Sequence, residues 1–375
     1  MMMNREELEK KIIGFEDDVI LDYHVLDGMA DWVRVVDKRG ITIFANSAMK
    51  RDLGDCIIGI ECYQAYGREH KCSFCITNRS IQSGEVMQKE EIINGHYYSV
   101  KSSPIINGNG NITAAVEVFR DVTRERKLEL ELIDRNRKMS KDLIFAKKIQ
   151  ERILPNKGIL GNISIDYIFQ PSEFLSGDMF DVFQFDDDNI GIYICDVVGH
   201  GIAASMMTMF IRQTMRGIVE DIIDPADALT ELHRVFMNLN LEADKYFTMF
   251  CGRYNRVNHE FSYSNAGHNC APIKYNNRGY ELLEMKGFPI SKLFDYMEYE
   301  EKTIQLCKDD KILFYTDGII EAKDYNGKEF GVKGILDIVE ENSKNLLEEI
   351  ENKYIYHSWG EQYDDYALVL MEVIE

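Results

Sequence analysis

Residues 190–201 read IGIYICDVVGHG. Six apolar or glycine residues predict a buried strand, Asp196 follows directly, and His200 stands between two glycines at the start of a predicted helix. An acidic side chain just beyond such a strand is held on a rigid platform, and neighbouring glycines let the backbone approach a ligand closely. The stretch therefore predicts a carboxylate that reaches a cleft at the end of a sheet.

Three further carboxylates stand in similar local contexts. They lie in Ser176-Gly177-Asp178, Tyr315-Thr316-Asp317-Gly318 and Tyr363-Asp364-Asp365. A single Asp-Gly pair is usually an ordinary turn, so the set carries more weight than any member. Carboxylates brought together repel one another unless cations lie between them, and all-oxygen ligands select hard ions such as Mg²⁺ or Mn²⁺. Two such ions about 4 Å apart are a known arrangement for phosphoryl chemistry.

Six stretches of the C-terminal half occur in a fixed order. They are SGDMFDVF (176–183), DVVGHG (196–201), YFTMFCGRYN (246–255), YSNAGHN (263–269), ILFYTDGIIEA (312–322) and DDYALVL (364–370). With them, residues 164–375 resemble the metal-dependent PPM serine/threonine phosphatases, in the bacterial subgroup of stage II sporulation protein E. The resemblance implies that the domain at 156–375 is an αββα sandwich with two metal ions at one end of its paired sheets.

The resemblance also implies the roles of individual residues. The implied metal ligands are Asp178, Asp196, Asp317, Asp364 and the backbone carbonyl of Val197. Asp196 is expected to bridge the two ions, and Asp181 and Asp365 to support the ligands from outside. In this family a metal-bridging hydroxide attacks phosphorus and displaces the serine or threonine oxygen without a phosphoenzyme.

His200 completes the predicted catalytic set. It could protonate the leaving oxygen, and a structural hydrogen bond is the alternative. In eukaryotic relatives the motif histidine comes two residues after the metal aspartate, where this chain has Val198. The chain also has Ser176 and Ser291 where the family usually has glycine. The turn at 265–268 is expected to support the site at the end of a strand.

Composition excludes several classes of function. Lys and Arg total 43 against 64 Asp and Glu, a net charge of −21, so phosphates of nucleic acids and anionic lipid heads would repel the chain. The N-terminal residues MMMNREELEK lack the apolar core of a signal peptide, and no apolar run approaches the ~20 residues of a membrane span. We expect a cytoplasmic protein that binds neither nucleic acid nor membrane.

The N-terminal third has its own strand pattern. Strand-like runs at 32–37 and 41–45 precede three more at 86–93, 96–106 and 112–119, with turn signals between them. They predict one small antiparallel sheet with helices on one face. After a leader at 1–19, residues 20–123 resemble a PAS sensor domain, down to the terminal Asp121-Val122-Thr123.

A helical linker is predicted between the two domains, at 124–155. No Gly or Pro occurs from Arg124 to Ile153, and Pro155 ends the helix. An apolar stripe contains Leu128, Leu132, Met139, Ala146, Ile149 and Ile153, with breaks at Arg135 and Asp142. The stripe favours a parallel coiled coil and hence a homodimer, and a solvated connector is the alternative. Residues 146–155 resemble the helix that precedes the phosphatase domain in sensor-linked relatives. The resemblance implies that this helix is a regulatory element.

The cysteines leave a second site open. Cys56, Cys62, Cys72 and Cys75 predict either a Zn or iron-sulfur site or ordinary thiols. The remaining cysteines, Cys195, Cys251, Cys270 and Cys307, are expected in the core.

Together the patterns favour an α+β chain that acts as a PAS-controlled phosphatase on a phosphoserine or phosphothreonine protein, an anti-sigma-factor antagonist by resemblance. A catalytically silent sensor or scaffold that binds such a partner is the alternative.

Overall fold

The structure is a computed structural model that describes residues 23–222, 224–341, 345–362 and 364–375. The leader predicted at 1–19 lies outside the described residues. Contacts between Cα atoms divide the chain into two compact units, Met1–Lys138 and Met139–Glu375, called here the N-terminal and C-terminal units.

The N-terminal unit is built on one antiparallel sheet of five strands. The strands are β1 Trp32–Asp37, β2 Thr42–Ala45, β3 Met87–Ile93, β4 His96–Ile106 and β5 Ile112–Asp121. Their order in the sheet is β2-β1-β5-β4-β3. The β3–β4 turn uses Asn94 and Gly95, both with positive φ, which is why this tight turn needs these residue types.

Helices and aromatic side chains fill one face of this sheet. The helices of this unit are α1 Tyr23–Asp27, α2 Ser47–Leu53 and α3 Ile76–Ser83, with short 3₁₀ turns at Asp55–Ile57 and Gln64–Tyr66. Trp32 stacks on Tyr98 with ring centroids 4.5 Å apart, and Phe119 packs beside both. A buried ion pair lies in the same unit, with Arg34 Nε 2.7 Å from Glu117 Oε2.

One long helix, α4, runs from Thr123 to Ile153. This agrees with the helix predicted from the absence of Gly and Pro. Large apolar side chains of α4 are exposed, among them Leu128, Leu132 and Met139. Its last residues are different, because Gln150 is buried and Ile153 packs against a core cluster of the C-terminal unit.

The C-terminal unit contains two antiparallel sheets. Its strands are β6 Gly158–Leu160, β7 Ile163–Gln170, β8 Asp178–Gln184, β9 Asn189–Val197, β10 Tyr246–Asn255, β11 Glu260–Ala266, β12 Ile273–Asn276, β13 Gly279–Leu282, β14 Ile290–Ser291, β15 Lys302–Gln305, β16 Lys311–Tyr315 and β17 Tyr366–Val373. Sheet I has the order β15-β11-β10-β9-β8, and β14 also pairs with β10. Sheet II has the order β13-β12-β16-β17-β7-β6.

Helices cover the outer face of each sheet. They are α5 Gly201–Ile218 and α6 Pro225–Met237 on sheet I, and α7 Asp317–Ile320, α8 Gly331–Glu340 and α9 Leu346–His357 on sheet II. Between the sheets, Phe180, Ile192 and Phe250 of sheet I pack with Phe314 and Val369 of sheet II. The result is the αββα sandwich that the sequence predicted.

One expectation needs correction. Cys307 was expected in the core and is exposed, whereas Cys195, Cys251 and Cys270 are buried. Within the described part of the chain, no helix combines the length and apolar character needed to cross a membrane.

Candidate active site

Asp178 and Asp196 lie directly opposite each other on neighbouring strands. In the β8–β9 pairing, Asp178 is the first residue of its strand and is matched with Asp196 near the end of its own. Side chains alternate along a strand, so both aspartates share a face with Phe180 and Ile194 of the core between the sheets. They therefore lie where this apolar core meets the end of sheet I.

Sheet II brings the other two aspartates to the site. Asp317 follows β16 and begins α7, and Asp364 precedes β17, the strand paired with β16. Gly318 permits this arrangement, because a Cβ there would lie 2.0 Å from the carbonyl oxygen of Asp365. Thr316 connects the sheets, since its hydroxyl donates to Asp178 Oδ2 at 2.7 Å.

The four carboxylates share one electrostatic environment. Burial raises the pKa of Asp196 to about 7, and the charges of Asp317 and Asp364 add to the rise. Burial and then the charge of Asp196 raise the pKa of Asp178 well above its ordinary value. Burial also raises the pKa of Asp364, and the charge of Asp317 adds to this rise. Such a cluster favours protons or cations.

The donor set fits hard divalent cations in its chemistry. Carboxylate oxygens are what Mg²⁺ and Mn²⁺ prefer, and the backbone carbonyl of Val197 lies beside the aspartates. Gly177 leaves that carbonyl uncovered, because a Cβ at this position would lie 3.1 Å from the Val197 oxygen. Across the described residues, no three Asp, Glu, His or Cys side chains are close enough to hold one ion as they stand.

Comparisons with known proteins place the C-terminal unit in a family. Residues 186–374, just over half of the chain, match the family profile described as stage II sporulation protein E (SpoIIE). The chain belongs to the SpoIIE family. The matched residues contain five of the six sequence stretches, all but the stretch at 176–183.

Two curated relatives of this SpoIIE-family chain come from Bacillus subtilis (strain 168). Phosphoserine phosphatase RsbU is 32% identical over 229 residues, which cover 60% of this chain and 62% of RsbU. Phosphoserine phosphatase RsbP is 29% identical over 185 residues, which cover 48% of this chain and 45% of RsbP. The chain thus spans less than two thirds of the length of either relative.

Solved structures show the fold of the SpoIIE-family unit. The SiaA-PP2C domain of Pseudomonas aeruginosa has a TM-score of 0.55 at 19% identity, and the match covers 64% of this chain and 98% of that domain. A structure of the PP2C phosphatase domain and part of the regulatory domain of SpoIIE from Bacillus subtilis has a TM-score of 0.51 at 12% identity. That match covers 77% of this chain and 82% of the other. The unit has the PP2C fold.

A buried hydrogen-bond network fixes the loop before Asp178. Asp365 Oδ1 accepts from the backbone N–H and the hydroxyl of Ser172 at 2.7 and 2.8 Å, and Oδ2 accepts from the Gly177 N–H at 2.7 Å. Gln150 of α4 accepts from the Ser176 N–H at 3.0 Å and donates to its carbonyl at 2.9 Å. Asp365 and Gln150 therefore hold the loop that leads to Asp178.

Asp181 does not support the site, contrary to expectation. It lies three residues after Asp178 and so points to the opposite face of the strand, toward α5. There its buried carboxylate accepts two hydrogen bonds from Arg216, at 2.7 and 3.0 Å, and Arg212 Nε lies 3.3 Å away. Asp181 anchors α5 to sheet I.

His200 has a partner that the sequence did not reveal. Its Nδ1 lies 3.4 Å from Glu173 Oε1, and both side chains are largely exposed. Gly199 and Gly201 have φ of +89° and +77°, so the turn that presents His200 requires glycine on both sides. Glu173 is far from His200 in sequence and no local motif marks it.

The turn at 265–268 supports the site, as expected. His268 is buried, its Nε2 lies 3.1 Å from the carbonyl oxygen of Tyr315, and its Nδ1 lies 3.2 Å from Thr248 Oγ1. Burial lowers the pKa of His268, so the imidazole is neutral near pH 7. It therefore braces the strand that carries Thr316 and Asp317.

The N-terminal cysteines divide into two groups. Cys62, Cys72 and Cys75 line one small cavity, whereas Cys56 is exposed and does not line it. Burial raises the pKa of Cys62 to about 11, and Cys75 Sγ accepts the Asn78 N–H at the start of α3. The predicted four-cysteine cluster is therefore at most a group of three around this cavity.

Proposed function

We propose that the C-terminal unit is a metal-dependent phosphatase that hydrolyses phosphoserine or phosphothreonine in a protein. One observation carries the proposal: aspartates at the ends of four strands, in two sheets, share one electrostatic environment at the edge of the core. Membership in the SpoIIE family and the PP2C fold support it. The names of RsbU and RsbP, both phosphoserine phosphatases, support the reaction.

Two Mn²⁺ or Mg²⁺ ions would be held by Asp178, Asp196, Asp317 and Asp364 with the carbonyl of Val197. When bound, such ions activate a water molecule and neutralise charge on the phosphoryl group. The chain itself contributes rigidity, since each aspartate stands at the end of a strand packed on a buried core. It also excludes water from one side of the site, where Phe180 and Ile194 lie behind the aspartates.

His200 would give a proton to the leaving serine or threonine oxygen. The Glu173 carboxylate near its Nδ1 would orient the ring. The pair is solvent-exposed, so it can regain a proton from water after each turnover.

The substrate class follows from the relatives. A phosphorylated regulatory protein, an anti-sigma-factor antagonist, is the proposed partner, as the resemblance to sensor-linked SpoIIE phosphatases implied. The net charge of −21 argues against nucleic acid as a partner.

A catalytically silent scaffold is the competing function. It would bind a phosphoprotein without turnover and would have no need of carboxylates whose charges repel one another. Burial is the main cause of the raised pKa of Asp178 and of Asp196, and neighbouring carboxylate charges add to it, so retaining all four favours the enzyme.

Hydrolysis of p-nitrophenyl phosphate tests the proposal. The full chain should hydrolyse it with Mn²⁺ and lose the activity in EDTA. Asp196→Asn and Asp317→Asn should abolish turnover while the protein stays folded by circular dichroism, because each removes the charge of a metal ligand. Asp337→Asn, on the exposed side of α8, is the matched control and should behave as wild type. Near-wild-type activity of either site variant would refute the assignment.

The N-terminal unit is proposed to be a PAS sensor that controls the phosphatase. Its five-stranded antiparallel sheet with the order β2-β1-β5-β4-β3 supports this assignment. The end of α4 supports the control mechanism, because Gln150 bonds to Ser176 two residues before Asp178. A helix that docks in two ways would change the position of this aspartate.

Substitutions in α4 test the coupling. We propose that the N-terminal unit senses a ligand or a redox change near Cys56 to Cys75. Ile153 packs on the core of the C-terminal unit, so Ile153→Glu should uncouple activity from the redox state of these thiols. Ile149 is 44% exposed and serves as the matched position, where Ile149→Glu should act only if a second chain covers it. Activity is measured with reduced and with oxidised thiols. An unchanged redox response in Ile153→Glu would show that the helix is a passive tether.

Two further features of the N-terminal half stay proposals. The exposed apolar residues of α4 support a homodimer through this helix. Cys62, Cys72 and Cys75 line one cavity, and either ordinary thiols or a Zn or iron-sulfur site is proposed there. Metal analysis of protein purified without oxygen tests the latter.

A further inference from the structure

We infer that Thr316 is a positioning residue that holds the Asp178 carboxylate ready for a divalent cation. The inference rests on the proposed function, because it concerns the cation of that site. It assigns a role to a residue that contributes no ligand of its own.

The hydrogen bonds of Thr316 fix the direction of its hydroxyl proton. Thr316 is fully buried, and its Oγ1 accepts the backbone N–H of Ala367 at 2.8 Å. The same oxygen lies 2.7 Å from Asp178 Oδ2. A hydroxyl has a single proton, and the Ala367 amide can only donate, so the Thr316 proton points to the carboxylate. The hydroxyl therefore holds Oδ2 of Asp178 in one orientation.

The contact joins the two sheets at the site. Thr316 follows β16 of sheet II, and its backbone N–H donates to the Ala367 carbonyl at 3.1 Å. Asp178 begins β8 of sheet I, and its own N–H donates to Ser176 Oγ at 3.0 Å. The carboxylate is thus held from its backbone and from one oxygen. Among the described residues no hydrogen bond reaches Oδ1, which leaves that oxygen for a cation.

The position of Thr316 makes the effect specific. A residue that donates to a metal-binding carboxylate and has no metal contact of its own governs how the ligand is oriented, and loss of such a partner costs about 10- to 100-fold in metal affinity. We therefore expect the hydroxyl, and not the methyl group, of Thr316 to determine Mn²⁺ affinity.

Three variants of the full chain test this by calorimetric titration with Mn²⁺. Thr316→Val keeps the shape and removes the donor, and should raise the Kd about tenfold. Thr316→Ser keeps the donor and should remain within about twofold of wild type. Thr208→Val is the matched control, because Thr208 is also fully buried and donates to a carbonyl, that of Ser205, within α5. Its Kd should equal that of wild type.

The outcomes separate this inference from the proposed function. Wild-type affinity in Thr316→Val, or an equal loss in Thr316→Ser, overturns the role of the hydroxyl. If Thr316→Val does not fold by circular dichroism, Thr316→Ala is compared with Thr316→Ser: a tenfold loss of affinity in Thr316→Ala alone upholds the inference, and equal affinity in the two overturns it. A wild-type chain that binds no Mn²⁺ would instead overturn the proposed metal-dependent function.

Discussion

Replacing Gln150 by leucine should weaken both the stability and the activity of the C-terminal unit. The Gln150 side chain is 1% exposed and makes two hydrogen bonds to the backbone of Ser176, at 2.9 and 3.0 Å. Ser176 is fully buried, so neither its N–H nor its carbonyl can turn to water when the amide is lost. Leucine has a similar size but cannot replace either bond.

The magnitude follows from the two groups left unpaired. A buried polar group without a partner costs about 1 to 3 kcal/mol, so the pair costs about 2 to 6 kcal/mol. Relaxation of the loop keeps the loss near the lower end of this range. Asp178 follows Ser176 by two residues, and a displacement of about 1 Å at a catalytic group costs about 100-fold in rate. We expect hydrolysis of p-nitrophenyl phosphate to fall by one to two orders of magnitude (~10- to 100-fold).

The assay compares the variant with Lys148→Leu, which introduces the same residue on an exposed position of the same helix. Urea unfolding and the Mn²⁺-dependent rate are measured on both full-length proteins. Lys148→Leu should match wild type in both. A Gln150→Leu protein with wild-type stability and rate would refute the idea that this amide holds the loop before Asp178.

Three shorter predictions concern charge, assembly and packing. The pKa of Asp196 is raised to about 7 in the folded protein, so the stability that its proton contributes is lost as pH rises from about 4 to about 7. In EDTA, the free energy of unfolding of Asp196→Asn should therefore rise above that of wild type across this pH range, by at most about 4 kcal/mol at pH 8. A difference in stability that does not change with pH would contradict the raised pKa. Light scattering should find a dimer that Leu132→Glu dissociates, since Leu132 is 59% exposed on α4; a monomeric wild type at micromolar concentration excludes it. Gly318→Ala should lower the melting temperature, because its Cβ would lie 2.0 Å from the Asp365 oxygen, whereas Gly217→Ala in an open helical position should not.

Several features of the site could be predicted because their causes are local. The apolar run before Asp196 and the glycines around His200 determine a strand and a turn from neighbouring residues alone. The same holds for the apolar run before Asp317, which forms the strand Lys311–Tyr315. The six short stretches also carried the resemblance to the SpoIIE family, which the family comparison confirmed.

Asp181 shows where local reasoning failed. The motif that contains Asp178 also contains Asp181, and their closeness in sequence suggested a shared site. A spacing of three reverses the face of a strand, so Asp181 meets Arg216 under α5 instead. Residues on the same face of a strand are separated by an even number of positions. The pairing of β8 with β9 shows which face of β8 carries the site, and that face excludes Asp181.

By itself, the sequence determined which segments become strands, where the turns fall and which carboxylates stand at strand ends. Only the tertiary structure decided which groups meet. Hydrogen bonds join Thr316 to Asp178 across 138 positions and Asp365 to Gly177 across 188. Another joins Gln150 of α4 to Ser176. The physical reason is that strand alternation and turn chemistry depend on adjacent residues, whereas these hydrogen bonds depend on sheet register and on the packing of sheet I against sheet II.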